Sequence, residues 1–104
     1  MRAVVETAEY LSAAKKVGMT EAERNAAVDV IAANPTIGDM IEGSGGARKV
    51  RVAREGKGKS GGYRVITYYT TANAPVYLLT VISKGRQANL AAAQKARIKQ
   101  GKGT

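Results

Sequence analysis

Residues 65–83 (VITYYTTANAPVYLLTVIS) carry no charged side chain, in a chain where 24% of residues are charged. The stretch breaks at Ala72-Asn73-Ala74-Pro75 into two blocks rich in Val, Ile, Thr, Leu and Tyr. Such side chains favour extended backbone on a buried or half-buried surface, and a proline-bearing break between two such blocks marks a turn. YRVITYYTT and VYLLTVIS are therefore expected to form adjacent strands, the second central and buried on both faces. A chain of 104 residues has length for one core, and these strands must sit in it. Phe and Trp are absent, so Val, Ile, Leu, Ala and Tyr have to fill that core.

The pattern on either side completes an α+β fold. In RKVRVAR, Val50 and Val52 alternate with Lys49, Arg51 and Ala53, which describes a half-buried strand with a basic outer face. EGKGKSGG reads as a flexible loop leading into YRVITYYTT, and residues 36–47 as an ordered loop with glycine turns. Three strands with short connections imply an antiparallel meander. Upstream, Ala3-Val4-Val5 is a short β-prone start. Leu11, Ala14 and Val17 then fall at helical spacing over residues 8–17, with Thr7 as N-cap and Gly18 as terminator. Thr20 and Glu23 form a capping-box signature, which opens a second helix with Ala26, Ala27, Val30 and Ile31 as its apolar stripe and Asn34-Pro35 as its end. LAAAQKARIKQ reads as a basic C-terminal helix and GKGT as a frayed tail. The expected architecture is one domain over residues 1–100 with a tail at 101–104, its two N-terminal helices covering one sheet face.

Charge is distributed unevenly along this plan. Residues 1–42 hold four Lys/Arg against seven Asp/Glu, a balance of −3. Residues 43–64 hold seven against one, and residues 84–104 hold six against none, so each of these segments carries +6 and the chain +9. Cations concentrated in two segments suit a polyanionic partner better than an even scatter does. The chain has no Cys and no His, which removes disulfides, thiolate nucleophiles, the usual zinc sites and His-based triads. Its eight carboxylates show no D-x-D clustering, so no metal or cofactor is expected. No apolar run reaches the roughly 20 residues that span a bilayer, and no signal-peptide pattern opens the chain, so a cytoplasmic protein without a membrane partner is expected.

Period-2 geometry places Lys49 and Arg51 on one strand face and Arg64 on a face with Ile66 and Tyr68. Lys57 and Lys59 sit in the loop between these strands, and Lys84 and Arg86 follow the last one. Taken singly, each cation suits a solvated rim. Together, near strand ends and with little acid nearby, they suit a phosphate-binding cleft. GKGKS is similar to the lysine end of a nucleotide-binding P-loop, but that pattern needs Gly where Ala53 stands and a helix where a strand is expected. An NTPase is excluded. Tyr63, Tyr68, Tyr69 and Tyr77 lie in strand blocks, where packing against neighbours competes with base stacking as their role.

Three segments in order, NPTIGDMIEGSGGARKVRV, GKGKSGGYRVITYY and VYLLTVISKGRQANL, resemble the HigB-type branch of the RelE/ParE toxin superfamily over about residues 34–90. The resemblance implies a compact sheet with N-terminal helices on one side, messenger-RNA cleavage in the ribosomal A site, and inhibition by a cognate antitoxin. Carried over position by position, it implies catalytic roles for Arg51, Lys59, Arg64 and Lys84, and RNA contacts from Lys49, Arg54, Lys57 and Arg86. After the last strand the chain reads Lys84-Gly85-Arg86-Gln87, where relatives carry K-N-E-K or K-R-x-R, and Ala91 stands where some relatives have a tyrosine. In such a site Arg51 and Arg64 would hold phosphate oxygens, while Lys59 or Lys84, crowded by like charge, would exchange protons at a lowered pKa. Such an enzyme would depend on the ribosome to orient the RNA. A ParE-like inhibitor of DNA gyrase and a non-toxic basic RNA-binding module are the alternatives. Loss of messenger-RNA cleavage in Arg64→Ala separates the first, and unaffected growth on expression the second.

Overall fold

A computed structural model describes residues 3–54 and 58–83, with backbone alone over 58–61. The chain order is β1 (Val4–Glu6), α1 (Ala8–Val17), α2 (Glu21–Ala33), β2 (Asp39–Met40), β3 (Ala47–Arg54), β4 (Gly58–Tyr68) and β5 (Val76–Ser83). Both helices begin where side-chain caps dictate. The Thr7 hydroxyl accepts from the Tyr10 N–H at 3.1 Å and donates to the Leu78 carbonyl at 2.7 Å, so the cap of α1 is also its tether to β5. Gly18, with φ of 79°, closes α1 in the left-handed conformation. Thr20 and Glu23 complete the expected capping box of α2.

The five strands form one sheet in the order β1-β5-β4-β3-β2. β3, β4 and β5 make the expected antiparallel meander. The sheet as a whole is mixed, however, because β1 pairs with β5 in parallel, Val4 opposite Val76 and Glu6 opposite Leu78. The helical pair carries the chain from β1 across one face before the meander begins, and that crossover is what allows the parallel pairing. β5 is consequently an inner strand, and β4 is the central one. Val76, Leu78 and Val81 of β5 are buried on the helix side, whereas Tyr77, Leu79, Thr80 and Ile82 are only half-buried, so burial on both faces is incomplete.

Two loop expectations also change. Residues 58–62 belong to β4 rather than to a flexible loop, because Arg54 pairs with Gly58 after an irregularity between Val52 and Arg54. Within residues 36–47, Asp39–Met40 pairs with β3. Gly38 makes that approach possible, since a Cβ there would lie 2.5 Å from the Lys49 carbonyl oxygen and its φ is +96°. Arg48 Nη1 holds the turn by donating to the Thr36 carbonyl at 3.1 Å.

The core lies between helices and sheet: Tyr10, Ala14, Ala27 and Ile31 pack on Val50, Val52, Tyr63, Val65, Val76, Leu78 and Val81. The helical stripes are rotated from the expected ones. Leu11 is 40% exposed and Val30 45%, while Tyr10 and Glu23 are buried. The rows Tyr10/Ala14 and Glu23/Ala27/Ile31 face the sheet, and two of their members bring polar tips that find partners inside. A smaller cluster of Ala47, Ile66 and Tyr68, flanked by Ile41, Tyr77 and Leu79, lies apart from this core. The expected C-terminal helix and the 101–104 tail fall outside the described residues.

Candidate functional site

On β3 the alternation that buries Val50 and Val52 against the helices turns Lys49 and Arg51 to the opposite face. On β4, Tyr63 and Val65 are buried toward the helices, and Arg64 and Ile66 take the other side. The register makes Arg51 and Arg64 direct cross-strand partners, with Ile82 of β5 continuing the row. The next row runs Lys49, Ile66, Thr80, and Asp39 of β2 stands opposite Lys49. Two guanidinium stems thus rise side by side from adjacent strands, on Cα atoms about 4.5–5.5 Å apart.

Electrostatically this pair is unsatisfied. Arg51 is exposed and Arg64 half-buried, and Arg64 Nη1 is shut off from solvent without a hydrogen-bond partner. Neither shares a carboxylate among the described residues; the Arg24–Glu6 ion pair, at 3.3 Å, belongs to α2 and β1. Like charges directly opposed across two strands are destabilising. A phosphate between them would convert that repulsion into two charge-assisted, bidentate contacts, and would do so more strongly as charge builds on its oxygens.

The other expected cations are placed as follows. Lys49 accompanies the arginine pair on the same face. Arg54 does not: its guanidinium lies 5.5 Å from the centre of the Tyr63 ring, on the helix side of the sheet. Lys59 stands near the start of β4, where the backbone alone is described. Lys57, Lys84, Arg86 and Ala91 lie outside the described residues.

The tyrosines divide between the faces. Tyr63 is wholly buried on the helix side, which removes it as a stacking surface. Its hydroxyl donates to Glu23 Oε1 at 3.1 Å, with the Gly18 carbonyl as a second acceptor at 3.4 Å. Burial first, and then the Glu23 carboxylate, push its pKa above the ordinary tyrosine value. Tyr68 is buried with its ring against Gly46, and Tyr69 packs on the helix-side core. Tyr77 is half-buried beside the smaller cluster, on the face of the arginine pair. The Glu23–Tyr63 bond across the core was absent from the expected site. Its sequence signal is partial: Glu23 stands out as a capping-box residue, but nothing marks Tyr63 as its second partner.

The family model that matches this chain is described as the RelE toxin of the RelE / RelB toxin-antitoxin system, and the match covers residues 1–103.

Proposed function

Because the chain belongs to the RelE toxin family, we propose that it is a ribosome-dependent endoribonuclease of the HigB-type branch, cutting messenger RNA in the A site and so stopping translation. The observation that carries this reading is the pairing of Arg51 with Arg64 on the sheet face away from both helices, without a carboxylate partner among the described residues. The nucleophile belongs to the substrate. A ribose 2′-OH attacks the neighbouring phosphorus, the 5′-oxygen leaves, and the negative charge gathered on the phosphate oxygens is met by the two guanidiniums. Lys49 extends the same face along the RNA backbone. Lys59 and Lys84 are the groups proposed to take up and return the proton, with Lys57 and Arg86 holding flanking phosphates. Arg54 supports the strand pair from behind.

The cognate antitoxin, of the RelB type that the family pairs with, is proposed to neutralise the same cations with an acidic segment folding across them. The deciding experiment expresses the chain with and without Arg64→Ala and maps messenger-RNA ends on translating ribosomes. Loss of one phosphate-stabilising donor is expected to lower cleavage about 10²–10³-fold while the protein stays folded. Undiminished cleavage in the variant, or growth arrest by the parent without new messenger-RNA ends, refutes the proposal.

A further inference from the structure

Gly61 and Gly62 precede Tyr63 and Arg64 in β4, whose regular pairing with β3 ends close by. The Val52–Tyr63 pair is the last before the register shifts between Val52 and Arg54. The pair just inside it, Arg51–Arg64, repels itself. Backbone pairing on both sides holds β4 here, and the outward push of like charge adds to the need for a hold on the strand. On the reverse side of the same strand, Tyr63 supplies that hold. Its ring is fully buried, its hydroxyl donates to the Glu23 carboxylate, and Arg54 lies over its face. Glu23 is itself held in place, since Oε1 also accepts from the Thr20 N–H at 2.8 Å in the capping box of α2. The chain of contacts runs from the start of a helix, through one carboxylate and one phenol, to the residue adjoining Arg64.

We propose that Tyr63, through its bond to Glu23, is a positioning residue for Arg64: it clamps β4 to the α1–α2 turn and so holds the guanidinium over the scissile phosphate. The consequence for cutting rests on the endoribonuclease reading above, while the clamp itself does not. Burial makes the bond difficult to replace, since the Tyr63 side chain has no exposure to solvent. Because successive side chains of a strand point to opposite faces, rotation of the backbone at Tyr63 moves Arg64 in the opposite sense. Misplacement of a catalytic group by about 1 Å can cost about 10²-fold in rate.

The test compares Tyr63→Phe, which removes only the hydroxyl, with Ile31→Val, a buried change in the same helix layer, both assayed at a temperature where each is fully folded. In the full-length ¹⁵N-labelled chain, the Arg64 Nε–Hε resonance reads the clamp without any RNA. Tyr63→Phe is expected to shift and broaden it and to lower cleavage on ribosomes about tenfold or more at saturating substrate, whereas Ile31→Val leaves both as in the parent. Glu23→Gln, which keeps an acceptor and the capping box, should retain the parent resonance, and Glu23→Ala should not. If Tyr63→Phe does not fold, this Gln/Ala pair makes the same comparison from the other end of the bond. An Arg64 resonance unchanged in Tyr63→Phe, or a cleavage loss equalled by Ile31→Val, overturns the inference. A parent chain that cuts no RNA instead overturns the functional reading, and the resonance still decides the clamp.

Discussion

The opposed arginines make a prediction that needs neither ribosome nor RNA for its stability half: Arg51→Glu should stabilise the fold while abolishing the proposed messenger-RNA cleavage. Arg51 and Arg64 are register partners, and Arg51 is the exposed member. Unit charges about 6 Å apart interact by about 0.7 kcal/mol at the dielectric of water and about 2.8 kcal/mol at an effective value near 20. Cross-strand pairs lie toward the lower figure, about 0.2–1 kcal/mol each. Turning a repulsive pair into an attractive one therefore gains about 0.4–2 kcal/mol. At about 4–8 °C per kcal/mol for a domain of this size, the midpoint of thermal unfolding should rise by roughly 2–16 °C. The assay is thermal unfolding of the isolated chain at about 20 mM salt and again at about 1 M, where the Debye length falls to about 3 Å and most of the gain should vanish. A variant no more stable than its parent at low salt, or a gain that survives high salt, would show that the two guanidiniums do not repel each other. The central electrostatic premise would fall with it.

Other substitutions probe the frame behind the pair. Thr20→Ala removes one half of the capping box and should cost about 1 kcal/mol in denaturant unfolding. Glu23→Ala strips the other half and leaves the buried Tyr63 hydroxyl only the longer contact to the Gly18 carbonyl, so a loss of about 1–3 kcal/mol is expected, whereas Glu23→Gln should cost less than half as much. Gly38→Ala combines a positive φ with a Cβ placed 2.5 Å from the Lys49 carbonyl oxygen, and should cost more than about 2 kcal/mol, read as a lowered midpoint. Tyr10 provides a pH signature. Burial, and then Glu6, push its pKa up to about 12, against 10.0 for an ordinary tyrosine, so the folded state keeps a proton that the unfolded chain releases. Its contribution is intact below pH 10 and is lost as pH rises through about 12; Tyr10→Phe should flatten that alkaline decline in unfolding midpoints.

Much of this frame is legible in the sequence because it is local. Thr7, Gly18 and the Thr20/Glu23 box set helix boundaries within a few residues of themselves, and the Val50/Val52 alternation assigns faces on β3 without reference to anything else. Non-local choices are not written so directly. The parallel pairing of Val4–Glu6 with β5 joins segments more than 70 residues apart, and no periodicity in either specifies its partner. The rotated helical stripes escape hydropathy because Tyr10 and Glu23 are buried for the sake of their polar tips, leaving Leu11 and Val30 outside. Arg54 looks like one more cation of a basic strand, yet the alternation of Val50 and Val52 already turns it to the helix side, and what the sequence leaves unmarked is the Tyr63 ring it lies against. The Arg51–Arg64 pairing lies between these cases: each face follows from alternation, but their direct opposition depends on a register that only the folded meander supplies.

That opposition also explains why the sheet is built as it is around them. For this backbone, position 51 or 64 would be more comfortably filled by a threonine, a glutamate or an apolar β-branched residue, any of which relieves the repulsion. Sequences selected for stability alone would therefore drift away from paired arginines. Directly behind the pair stand a buried tyrosine at position 63, a doubly used carboxylate at 23 and a third arginine stacked at 54. On the proposed reading, repulsion on one side of two strands is opposed by a polar anchor on the other, so weakening the anchor frees the arginines to splay. Stability should accordingly rise in variants that lose the cation pair and fall in variants that lose the anchor, and both should cut poorly. A sheet whose residues merely packed would show one trend, with activity following stability.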